Sequence, residues 1–251
     1  MRAVFVLLLL AYSMPSMAQI KVIISGGFST AYRQVLPEFE KSTGIPVTTG
    51  SGASQGKGPT TIASQLERGE PFDVVIMSRE GLEDLVRAGR IVAGSDMDLA
   101  TAAIGVAVRA GAPKPEVTSV EGFKRALLDA RLIAVPQSTS GIFLVKTVFP
   151  KLGVAERIKV KMYDRGSQSA AAVASGEADL AVQPVSELMS VSGIEYAGQI
   201  ADELQLIQMF SAAIVQGSKQ ADAAKRLIQF LASDRAAAAI RKNGMEPAGG
   251  R

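Results

Sequence analysis

The chain has 251 residues, with 27 Lys plus Arg, 24 Asp plus Glu, and no histidine, cysteine or tryptophan. Without His and Cys there is no Ser-His-Asp triad, no cysteine nucleophile and no ordinary zinc site, although carboxylate or Ser-Lys chemistry stays open. A formal charge of only +3, with no basic block, argues against a nucleic-acid partner.

Arg2, the apolar run Val4 to Ala11 and the small residues of Ser16-Met17-Ala18 read as a secretory signal peptide over 1–18. The run is far shorter than the roughly 20 residues that span a bilayer, so the alternative of an uncleaved anchor is the weaker one. The expected mature chain begins at Gln19, with the periplasm as its compartment.

Beyond that point, β-branched apolar runs alternate with amphipathic stretches that end in glycine, the rhythm of an α/β sheet protein. Lys21 to Ser25 reads as a strand and Ser29 to Thr43 as a helix stopped by Gly44, with Pro37 expected to kink or split it. A strand at Val47 to Thr49, a loop of small residues from Ser51 to Gly58 and a helix opened by Pro59 follow. Phe72 to Met77 reads as a buried strand, Glu80 to Ala88 as a helix and Leu99 to Val108 as a long strand-like run.

A second set then begins. It comprises the helix Val120 to Ala130, the strand Leu132 to Val135, the helix Ile142 to Leu152 and the strand Ile158 to Met162. The helix Ser167 to Ser175, the strand Leu180 to Val182 and a helix at Val185 to Val191 complete it. Leu204 to Val215 is a second long strand-like run, and helices at Asp222 to Ala232 and Asp234 to Lys242 end the pattern.

Two such runs bracketing the middle of the chain predict two lobes joined by two crossover strands. Lobe 1 would comprise 19–99 and 214–251, and lobe 2 would comprise 100–213, each a mostly parallel sheet flanked by helices. Two strands between lobes form a natural hinge.

In open α/β sheets, ligands sit beyond the carboxyl ends of the strands, where loops enter helices. Four such loops are rich in Gly, Ser and Thr: Ser25 to Ser29, Gly50 to Lys57, Ser138 to Gly141, and Gly166-Ser167-Gln168. One such loop is explained as a helix cap; four, two per lobe, point to an anion held by hydroxyls, backbone N–H groups and helix dipoles.

The candidate ligand residues are therefore Gly27, Phe28, Ser29, Ser54, Gln55, Lys57, Ser78 and Arg79 from lobe 1. Lobe 2 offers Ser138, Thr139, Ser140, Gly141, Ser167, Gln168, Gln183 and Pro184. Ser29, Ser54, Ser140 and Gln168 are expected to aim donors into one cleft, with Phe28 as an apolar wall. Lys57 reads either as a cationic contact or as a solvated loop residue. Arg79 reads either as a bidentate anion contact or as the partner of Glu80 or Glu83. No cofactor or metal is expected, and the chain reads as a monomer.

The loop Ser25 to Ser29, the segments Gly69 to Ile76 and Ser175 to Asp179, Phe230-Leu231 and Gly244-Met245-Glu246-Pro247 together resemble the periplasmic molybdate-binding-protein-like family of transporter solute receptors. The resemblance implies a type II periplasmic binding fold, hinge closure on an anion, and an ABC permease as partner. Phe28 stands where those binders carry a serine ligand, and Pro184 where they carry a tyrosine. The two lost hydroxyls favour a small organic anion such as a carboxylate over molybdate or tungstate, which stay as the alternative beside a ligand-sensing role. The expectation is a binding protein and not an enzyme, with Asp73 and Glu177 read as structural carboxylates flanking strands.

Overall fold

The computed structural model describes residues 19–189 and 191–249; the expected signal peptide, 1–18, lies outside them. The first elements are β1 (Ile20–Ile24), α1 (Gly26–Thr43), β2 (Val47–Ser51), α2 (Ile62–Glu67), β3 (Val74–Ser78), α3 (Arg79–Arg87) and β4 (Met97–Ala102). Next come β5 (Ile104–Arg109), α4 (Val120–Asp129), β6 (Ile133–Pro136) and α5 (Thr139–Phe143), which passes through a π-helical turn into α6 (Phe149–Lys151). Then follow β7 (Val160–Tyr163), α7 (Gly166–Ala174), β8 (Leu180–Pro184), β9 (Ile194–Gln199) and β10 (Gln208–Ile214). α8 (Ala221–Leu231), α9 (Asp234–Lys242) and the two-residue β11 (Glu246–Pro247) close the chain.

These strands form two sheets, ordered β11-β4-β10-β3-β1-β2 and β7-β6-β8-β5-β9. Each sheet has a parallel trio, β2-β1-β3 and β7-β6-β8, extended on one side by strands that pair antiparallel. The fold is thus the two-lobed α/β architecture expected. The chain leaves the first sheet at Ala103, where the long apolar run breaks into β4 and β5, and is back in it at Gln208. Residues 100–102 and 208–213, expected in the second lobe, pair within the first sheet, because the first run is split at Ala103 between the two sheets and the second carries β10 on the side of the first. We propose sheet membership as the division into lobes.

The alternation of side chains explains why both faces of the first sheet are covered. Val22, Ile24, Val74 and Ile76 pack with Phe28, Tyr32 and Leu227 of the flanking helices on one face. Ile23, Val75 and Met77 pack with Ile62, Leu66 and Leu82 on the other. In the second sheet Val106, Ile133 and Val182 share a core with Phe123 and Leu127 of α4. On the opposite face the central strands offer Ala107, Ala134 and Ala181, and these small side chains let α7 lie close through Ala172 and Val173.

Local chemistry corrects several expectations. α1 begins at Gly26 and passes through Pro37 without a break, its proline on the exposed side, and ends where Gly44 takes φ 69°. Thr61, not Pro59, starts α2, its hydroxyl accepting from the Ser64 N–H. The helix expected at Val185 to Val191 is only a 3₁₀ turn, Val185–Glu187. β9 and β11 were not expected; one is a partly buried edge strand without a strong apolar run and the other has two residues.

Candidate functional site

The carboxyl ends of the parallel strands of both sheets face each other across one cavity of about 270 Å³. From the first sheet it is walled by the residues after β1 and β2, and from the second by those after β6, β7 and β8. Gly26 opens α1 and Gly166 opens α7, so two helix N-termini, one from each sheet, border the same space. Their free N–H groups and dipoles favour a negative ligand.

Two arginines strengthen that preference. Arg33, two turns beyond the start of α1, and Arg165, directly before α7, both line the cavity, and neither forms an ion pair among the described residues. Arg165 reaches across to the end of β2, where its Nη1 donates to Ser51 Oγ at 2.5 Å and its Nη2 to the Ser51 carbonyl at 3.3 Å. A guanidinium held this way keeps further N–H donors for a carboxylate.

The walls also carry polar atoms with no hydrogen-bond partner among the described residues: Ser25 Oγ, Ser186 Oγ, Glu187 Oε2 and Gln208 Oε1, all buried and all on residues lining this cavity. Each such atom costs about 1–3 kcal/mol when left unmatched, so four around one space mark a ligand site and not a packed core. Glu187 as a residue is partly accessible, yet its Oε2 is covered. Burial pushes its carboxyl up to about 7 from the ordinary value of 4.5.

The candidates from the sequence divide into three groups. Gly27, Ser29, Ser54, Ser138, Ser167 and Pro184 line the cavity. Ser78, Thr139 and Gln55 lie outside its lining and join the lobes: Ser78 Oγ meets Thr139 Oγ1 at 2.8 Å, and Thr139 Oγ1 donates to Gln55 Oε1 at 2.9 Å. The others have duties elsewhere. Phe28 is fully buried in the first core and walls nothing, because α1 starts three residues before Ser29 and turns this ring inward. Arg79 is tied to Asp96 at 2.7 Å and to Asp98, both at the start of β4. Lys57 is exposed and outside the lining.

Ser140 is buried away from the cavity, and at Gly141 a Cβ would come within 1.8 Å of the Pro136 carbonyl, so that glycine serves close packing. Gln168 accepts from the Arg165 N–H as part of the α7 cap, and Gln183 is wholly buried, where it accepts from the Ser169 hydroxyl. Sequence reasoning missed Arg33, Arg165, Ser186, Glu187 and Gln208. Of these only Arg165, immediately before the Gly166-Ser167-Gln168 loop, sat where the strand-to-helix rule could have found it.

The sequence profile described as bacterial extracellular solute-binding protein matches residues 20–246. An aconitate isomerase from Pseudomonas sp is 38% identical over 227 residues, covering 90% of this chain and 87% of that one. The molybdate-binding protein ModA of Azotobacter vinelandii is 28% identical over 238 residues, covering 90% of this chain and 89% of its own. Among solved structures, the sulfate-binding protein SubI of Mycobacterium tuberculosis superposes with a TM-score of 0.74 at 18% identity, over 93% of this chain and 88% of that one.

The expectation that this chain is not an enzyme is overturned by the relative that bears an isomerase name. The missing histidine and cysteine excluded certain catalysts, but a buried carboxyl is enough for acid–base work. With the family profile spanning nearly all of the described residues, the chain belongs to the family of bacterial extracellular solute-binding proteins.

Proposed function

We propose that this protein binds a small unsaturated polycarboxylate of the aconitate type between its two lobes and isomerises it. The observation that carries the reading is the pair of arginines, Arg33 and Arg165, lining one cavity without a carboxylate partner and flanked by two helix N-termini. Such a site matches a ligand with several carboxylates better than a compact tetrahedral oxyanion, since two guanidinium groups can each take one carboxylate in bidentate fashion. A relative named aconitate isomerase, at 38% identity, supports both the ligand class and the reaction type.

The test is proton NMR of cis-aconitate incubated with catalytic amounts of the purified chain. Appearance of the trans isomer at many times the protein concentration supports the reading, and an unchanged spectrum contradicts it. Family membership favours a second reading, in which the protein serves an ABC importer in the periplasm as a receptor. On that reading aconitate binds with the two lobes closed around it and is released unchanged, with a permease as the partner.

A further inference from the structure

Glu187 ends the 3₁₀ turn that follows β8 and reaches the boundary between the lobes. A Cβ placed on Gly26 would lie 2.2 Å from its Oε1, and one placed on Gly166 would lie 1.8 Å from its Oε2. The carboxyl group is therefore wedged between the first residues of α1 and α7, and only glycine at both positions leaves room for it. Its Oε2 finds no hydrogen-bond donor there. Ser25 Oγ, Ser186 Oγ and Gln208 Oε1, equally without partners, share its cavity with Arg33 and Arg165. A structural carboxylate would be paired; this one keeps its Oε2 covered and without a hydrogen bond, and among the described residues it forms no ion pair with either arginine of the cavity.

Resting on the isomerase reading, we propose that Glu187 is the catalytic residue that carries the proton during isomerisation of the bound polycarboxylate. The saturated carbon of an aconitate-type substrate lies between a carboxylate and the double bond, and its hydrogen is the acidic one. Glu187 takes that proton. The C–H electron pair becomes a new double bond to the central carbon, and the old π pair moves to the third carbon and its carboxylate. The protonated Glu187 then returns the proton to that third carbon. One C–H bond breaks and one forms, the double bond moves by one position, and no oxidant or reductant is consumed. Because both outer carbons carry a carboxylate, the product has the same constitution, and the geometry in which it forms decides between cis and trans.

The surroundings suit this step. Negative charge that builds on the outer carboxylates lies beside Arg33, Arg165 and the N-termini of α1 and α7, of which Arg165 is already held to Ser51 and the two helix starts are set by the fold. A carboxyl brought close to neutrality by burial accepts and releases a proton with equal ease. Asp164 also lines the cavity but is exposed to solvent, unlike the covered Oε2 of Glu187.

The experiment compares wild type with Glu187→Gln, reading turnover of cis-aconitate by NMR and its affinity by calorimetry. Proton transfer by a positioned side chain contributes about 10²- to 10⁴-fold, so the variant is expected to lose at least 100-fold in turnover while binding as well or more tightly. Turnover within tenfold of wild type overturns the proposal. If the glutamine variant does not bind aconitate, Glu187→Asp is read instead. Withdrawing the carboxyl by one carbon is expected to cost about 10- to 100-fold, and a wild-type rate overturns the proposal. A wild type that binds aconitate without turning it over removes the isomerase reading itself, whatever the variants do.

Discussion

At the scale of single residues, the stability of the protein depends on Glu187 in a direction fixed by its raised pKa. Its carboxyl titrates at about 7 in the folded chain, against 4.5 in the ordinary state. Folding therefore favours the protonated form. The associated stability is complete below pH 4.5 and is lost as pH rises to about 7, a loss of about 3 kcal/mol. The charged neighbours along the cavity are Arg33 on α1 and Asp164 and Arg165 ahead of α7. Glu187→Gln removes this dependence, so urea denaturation of ligand-free protein should give a variant that gains on wild type between pH 5 and 7.5. Parallel stability curves would contradict the burial of this group. Arg79 supplies the contrast: its pairs with Asp96 and Asp98 tie α3 to β4 in a partly exposed setting. Arg79→Ala should cost about 1 kcal/mol of ligand-free stability in the same denaturation assay.

Elements set what these residues can do. Gly166 opens α7 directly against the Glu187 carboxyl, and its missing side chain is the space that carboxyl occupies. Gly166→Ala should expel Glu187 from its niche, and we expect turnover to fall by about 100-fold, the scale of a displacement near 1 Å. Circular dichroism and a melting curve would verify that the helix survives. Arg165 holds the same helix start to the end of β2. Arg165→Ala should weaken aconitate binding by about 10- to 100-fold in calorimetry, as one or two charge-assisted hydrogen bonds are lost.

The glycine- and serine-rich loops were legible from sequence because a strand, then small residues, then a helix is the order that open α/β sheets place at their ligand-binding end. Ser29, Ser54, Ser138 and Ser167 line the cavity for that reason. Arg33 was not legible, because one arginine on an amphipathic helix looks like solvent-facing charge until the opposite lobe is in place. Glu187 stayed hidden because Val185 to Val191 carries a helical spacing that the chain abandons after one 3₁₀ turn. That turn sends the carboxyl inward. Phe28 misled in the opposite sense: a loop-edge aromatic in the sequence is the third residue of a helix in the fold.

For the whole molecule, the division into two sheets was readable from the two long apolar runs, whereas the place of the crossing was not. Only pairing shows that β4 and β10 belong to the first sheet while β5 belongs to the second. Among the described residues the polar contacts between the lobes include Ser78 to Thr139, Thr139 to Gln55 and Arg165 to Ser51, and we propose that they part and re-form as the lobes open and close around a ligand. On the proposed function, this closure serves catalysis at Glu187. A catalyst and a binder differ in one thermodynamic respect: a catalyst brings the mixture to the same composition from either side, whereas a binder shifts it only in proportion to the protein present. Proton NMR of cis- and trans-aconitate in separate tubes, each with trace wild-type protein, tests this directly. If Glu187 catalyses isomerisation, both tubes converge on one cis-to-trans ratio, at a rate proportional to protein concentration. Two tubes that keep their starting isomers would contradict it.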